Sequence, residues 1–88
     1  MIFISLGKFR KKPTKAMTDE VTKLTKDMAK KEGIKILSFY WTLGRYDTVV
    51  TMDAPNEKAV MKMNMMVSDF VSTQTMIAIP REEAIKLV

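Results

Sequence analysis

Apolar positions along this chain switch between near-continuous short runs and a recurrence every three or four residues. The first pattern belongs to buried strands and the second to one face of a helix. Ile2-Phe3-Ile4-Ser5-Leu6 followed by Gly7 reads as a first strand, with a loop beginning at Lys8. From Thr14 to Glu32, Met17, Val21, Leu24 and Met28 line one helical face, and Gly33 supplies the stop. Lys23, Lys26, Asp27, Lys30 and Lys31 fall mostly on the other side, as on a helix lying against a sheet. Ile34 to Leu43 and Tyr46 to Met52 read as two strands of a hairpin joined through Gly44-Arg45. Asp53 and Asn56 are candidate caps for a second helix near Pro55, with Ala59, Val60, Met63, Val67 and Phe70 as its stripe. Ser72 to Ile79 gives a fourth strand whose Thr73, Thr75, Ile77 and Ile79 share a face. Pro80-Arg81-Glu82-Glu83 then opens a short terminal helix.

The order strand, helix, strand, strand, helix, strand predicts an α+β fold. Right-handed crossovers place both helices on one face of an antiparallel sheet. A sheet with its other face in water would alternate apolar and polar residues. The second strand does not: Ile34, Ile36, Ser38, Tyr40 and Thr42 oppose Leu37, Phe39, Trp41 and Leu43, leaving both sides substantially apolar. The third strand is equally two-sided. The pattern therefore predicts a partner for the open face, a second copy of the chain meeting it sheet to sheet as a homodimer or higher oligomer. Of Tyr40 and Trp41, one should face the helices and the other the partner.

The length of 88 residues accommodates one core and predicts a single domain over residues 1–88. With no cysteine and no histidine, the chain lacks thiolate and imidazole ligands and the usual general base near neutral pH, so no cofactor and no metal are expected. The carboxylates Asp19, Glu20, Asp47, Asp53 and Glu57 follow no metal-ligand spacing. No apolar run approaches the ~20 residues of a membrane span, and the chain reads as cytoplasmic with no membrane partner. The net charge of +5 concentrates in Lys8, Arg10, Lys11, Lys12 and Lys15, a hint of anionic partners that says nothing of fold.

The run Tyr40-Trp41-Thr42-Leu43-Gly44-Arg45-Tyr46-Asp47, then Thr48-Val49-Val50 and Asp53-Ala54-Pro55-Asn56, resembles the signature of the GYD domain family. The resemblance implies a ferredoxin-like βαββαβ fold of the dimeric α/β-barrel kind. It implies no established general activity. The basic loop from Lys8 to Lys15 departs from the more polar version associated with the family.

Two readings compete for the Gly-Arg-Tyr-Asp segment. In one, Gly44 permits a turn, Arg45 and Asp47 decorate it and Tyr46 packs its ring. In the other, Tyr40, Arg45, Tyr46 and Asp47 line a ligand pocket at the dimer interface, where Arg45 holds an anion and the tyrosines orient an aromatic or apolar body. The methionines Met61, Met63, Met65 and Met66 read chiefly as core fillers. Ala84, Ile85, Leu87 and Val88 read as an arm covering a sheet edge or a neighbour. The leading expectation is a homo-oligomeric ligand-binding or accessory domain. A cofactor-independent oxygenase or isomerase is an alternative by fold analogy. An RNA-binding module is a weaker one, because Thr48 and Met52 stand where the third strand would need stacking aromatics.

Overall fold

The computed structural model describes residues 1–88 and has the elements β1 (Ile2–Phe9), α1 (Lys15–Glu32), β2 (Lys35–Trp41), β3 (Thr48–Asp53), α2 (Glu57–Met66), β4 (Val71–Ala78) and α3 (Arg81–Ala84), the last running into a 3-10 turn over Ile85–Leu87. The strands form one antiparallel sheet in the order β2-β3-β1-β4. This is the ferredoxin-like βαββαβ arrangement that the pattern predicts.

Side-chain chemistry fixes the start of each long helix, while α2 ends at Met66, short of the Val67 and Phe70 assigned to its stripe. Thr14 Oγ1 accepts the Met17 amide at 3.1 Å, and Asn56 Oδ1 accepts that of Ala59 at 3.0 Å, each capping a first turn. Gly33 closes α1 in the left-handed region at φ 70°, which a residue with a Cβ enters only with strain. Lys62 Nζ on α2 and Glu32 Oε1 on α1 pair at 2.8 Å and tie the helices together.

Three expectations are corrected. β1 continues through Gly7 and Lys8 to Phe9, because β4 offers it a partner as far as Val71. The hairpin strands end at Trp41 and resume at Thr48, so the connection is longer than Gly44-Arg45. That loop is closed from within: the Thr42 amide donates to the Asp47 carbonyl at 2.8 Å and Thr42 Oγ1 to the Tyr46 carbonyl at 2.7 Å. The faces of β2 also change sides. The register jumps between Ile36, opposite Met52, and Ser38, opposite Thr51, so Leu37 is an extra residue. A one-residue bulge inverts everything beyond it. Ile36 therefore shares the helix-facing side with Phe39 and Trp41, while Ser38 and Tyr40 take the open side. Tyr40 and Trp41 do point to opposite faces.

The core lies at one end of this sandwich. Phe3 and Met52 on neighbouring strands, 3% and 2% exposed, form its floor. Met28, Ala29, Ile34, Ala54, Ala59, Val60 and Met63 close over them. Of the α2 methionines only Met63 belongs to the core, and Met61 and Met65 are exposed. The reading of all four as fillers fails because α2 presents a single face to the sheet. Ile85, Leu87 and Val88 are likewise exposed in the isolated chain.

Candidate functional site

The helix-facing side of the sheet changes character from one end to the other. Along β1, Phe3 gives way to Ser5 and then Gly7, and opposite them on β3 Met52 gives way to Val50 and Thr48. Thr73 stands on the β4 side, level with Gly7. Small and hydroxyl-bearing side chains thus replace large apolar ones on the floor, while α1 keeps its apolar stripe above. Met17 and Val21, one and two turns into α1, have nothing tall to meet.

The result is a cavity of about 380 Å³ between α1 and the sheet, and eleven of the eighteen residues lining it are hydrophobic. Ser5, Thr48 and Thr73 contribute hydroxyls from the floor, and Asn64 contributes an amide from α2. No ionisable side chain lines it. Its opening lies along β2, where Phe39 and Trp41 remain 47% and 56% exposed although they face the helices. The Phe9 and Trp41 rings meet edge to face with centroids 5.0 Å apart, a favourable geometry for two aromatic quadrupoles.

Gly7 shapes this floor by what it lacks. A Cβ there would lie 2.8 Å from Val71 Cγ2 and would run into Thr48 Oγ1, so the side chains of β3 and β4 close over a glycine. Farther in, Asn64 Nδ2 donates to Thr75 Oγ1 at 3.0 Å, and Thr75 Oγ1 donates to Ser5 Oγ at 3.0 Å.

The four residues singled out in the sequence lie elsewhere, and none lines the cavity. Asp47 fastens the end of β1, its carboxylate accepting the Phe9 amide at 2.8 Å and its own amide donating to the Gly7 carbonyl at 2.7 Å. It acts on the opening only by holding Phe9. Tyr46 donates its hydroxyl to Gln74 Oε1 at 2.8 Å, and Tyr40 is 63% exposed on the open face. Arg45 is exposed in the loop. Sequence reasoning missed Ser5, Thr48, Thr73 and Asn64. The available signal was the alternation Phe3, Ser5, Gly7, which places small residues on the face that a packed core would fill with large ones.

The remaining open face carries Ile2, Ile4 and Leu6 on β1 and Val49 and Thr51 on β3, so its two central strands present no aromatic ring. An RNA-stacking platform would need one.

The GYD domain model matches residues 3–88. Among solved structures, the crystal structure of muconolactone isomerase at 3.3 Å resolution is similar with a TM-score of 0.56 at 13% identity, covering 92% of this chain and 93% of that one. A de novo designed protein is similar at a TM-score of 0.42 and 8% identity, over 89% of this chain and 96% of that one. No curated protein sequence matches the chain. At such identities, the structural likeness extends to the fold alone.

Proposed function

This chain belongs to the GYD domain family, and from that premise we propose that it is a homodimeric binding domain holding an uncharged, largely apolar small molecule between α1 and the sheet. The observation that carries the reading is the cavity of about 380 Å³ with apolar walls, a few hydroxyls and no ionisable side chain. Its volume falls in the ~300–1,000 Å³ range of small-molecule sites. An ion placed there would lose its hydration without gaining a counter-charge, a cost of several kcal/mol or more, so a neutral occupant is favoured. The anionic ligand considered for Arg45 has no support from this cavity. Binding is favoured over catalysis because no wall residue can take or give a proton near neutral pH.

The dimer is the second part of the reading. Ile2, Ile4, Leu6 and Val49 sit on the open face beside Tyr40 and Met76, the last two 63% and 42% exposed. Sheet-to-sheet association with a second copy would cover them, and the exposed Ile85 and Leu87 could extend the same contact. Tyr40, Tyr46 and Arg45 then belong to the subunit contact, with Asp47 as the clasp behind it.

A thermal-shift screen of neutral aromatic and alicyclic compounds tests the cavity, since a ligand at 100 times its Kd raises stability by about 2.7 kcal/mol. If no compound in the screen moves the melting temperature, the binding reading fails. Light scattering at micromolar concentration tests the dimer separately, and a monomer there contradicts it.

A further inference from the structure

Only two polar residues of this chain are buried, Ser5 at 5% and Thr48 at 7% exposed, and both line the cavity. A buried hydroxyl normally finds a partner, because leaving one unpaired costs roughly 1–3 kcal/mol. The intrachain partners account for only part of what these two can do.

Ser5 ends a chain of hydrogen bonds with a fixed direction. The Asn64 NH₂ donates to Thr75 Oγ1, and the Thr75 hydroxyl donates to Ser5 Oγ, at 3.0 Å in each step. Ser5 is thereby an acceptor toward Thr75, and its own proton goes to no acceptor within the chain. Thr48 Oγ1 sits over Gly7 and engages no other polar group of the chain. No side-chain oxygen is both sealed from solvent and unpaired, so this hydroxyl opens into the cavity. On the roof, the hydroxyls of Thr18 and Thr22 already donate to the carbonyls of Thr14 and Thr18 along α1, each at 2.8 Å, and the remaining one, Thr25, is not among the buried polar residues.

We infer that the Ser5 and Thr48 hydroxyls are paired donors that select, among neutral molecules, those bearing a carbonyl, and that the natural ligand is an uncharged cyclic carbonyl compound. This deepens the binding reading above and rests on it. Thr48 stands opposite Gly7 and Ser5 opposite Val50, so the two donors are diagonal neighbours on the floor. Diagonal positions lie about 7–8 Å apart at the backbone, within reach of one planar molecule. The apolar rings of Phe9, Phe39 and Trp41 then receive its body, and the absence of ionisable groups in the wall disfavours a carboxylate in place of the carbonyl.

The test titrates the whole chain with 1-tetralone and with tetralin, the same skeleton without the oxygen, followed by calorimetry and by emission of Trp41 in the cavity opening. Ser5→Ala and Thr48→Val should each weaken 1-tetralone binding roughly five- to tenfold while leaving tetralin affinity unchanged, the loss expected for one hydrogen bond. If both variants bind 1-tetralone as tightly as the unaltered chain, the donor assignment is overturned while the cavity reading stands. If neither compound binds the unaltered chain, the carbonyl assignment is overturned, while the binding reading itself stands or falls with the wider thermal-shift screen. Equal losses for the two compounds would show a damaged cavity and would also overturn the donor assignment.

Discussion

The two ends of the helix–sheet sandwich are built from the same elements and differ in what stands on the floor. At one end Phe3 and Met52 rise from the sheet, 3% and 2% exposed, and meet Met28, Ala29, Val60 and Met63. At the other, Ser5, Gly7, Thr48 and Thr73 stay low beneath Met17 and Val21, leaving about 380 Å³ open. The helix cannot correct the difference, since α1 runs over both ends and is anchored at the first by Met28, Ala29 and the Glu32–Lys62 pair. One end therefore supplies the stability, and the other is free to be hollow.

The largest expected effect tests this contrast directly. Phe3→Ala should cost about 3–5 kcal/mol in urea unfolding, the range for a fully buried aromatic. Trp41→Ala should cost less than about 2 kcal/mol, because a ring already half exposed loses little burial on removal. Equal losses would mean that the hollow end is filled in solution and that the two ends are energetically alike.

The same helix offers a finer comparison. Met28 and Met17 lie on one stripe of α1, but Met28 is 8% exposed and packs in the core while Met17 borders the cavity. Met28→Ala should cost roughly 2–4 kcal/mol and Met17→Ala under about 1 kcal/mol. A Met17 loss as large as that of Met28 would place α1 down on the sheet along its whole length.

Gly7 sharpens the contrast from the floor. Gly7→Ala should destabilise by roughly 1–3 kcal/mol through overpacking against Thr48 and Val71. Adding Thr48→Ala should restore part of that loss, since it removes the oxygen in the way. Additive effects in the double-mutant cycle would show that the two positions do not touch.

The packed end was legible in the sequence and the hollow end was not, for a definite reason. Met17, Val21, Leu24 and Met28 announce one apolar face by spacing alone, and the candidate cap Asn56 and the stop Gly33 act locally, so the elements could be placed to within a few residues. The spacing does not reveal how high the floor stands beneath each position, which depends on strands far away in sequence. The extra residue Leu37 was equally silent, because a bulge has no apolar period of its own, and it moved Ile36 to the side of Trp41. The Gly-Arg-Tyr-Asp segment drew attention as a cluster of chemically able side chains. Within the chain, Asp47 fastens the end of β1 and the Tyr46 hydroxyl reaches Gln74 on β4.

The smallest expected effect falls at that loop and bears on whether the hairpin tip is free. Arg45 is exposed, takes part in none of the three ion pairs, and follows Gly44, whose φ of 103° forms the turn without help from the guanidinium. Within the isolated chain its side chain supports nothing, so Arg45→Ala should change unfolding stability by no more than about 0.5 kcal/mol. Binding at the cavity should be unchanged too, since Arg45 is absent from its wall. A loss above about 2 kcal/mol would require a partner for the guanidinium that one chain does not supply. Repeating the measurement at two protein concentrations identifies that partner: a loss that shrinks on dilution assigns Arg45 to the contact between copies, whereas a concentration-independent loss places it inside the fold.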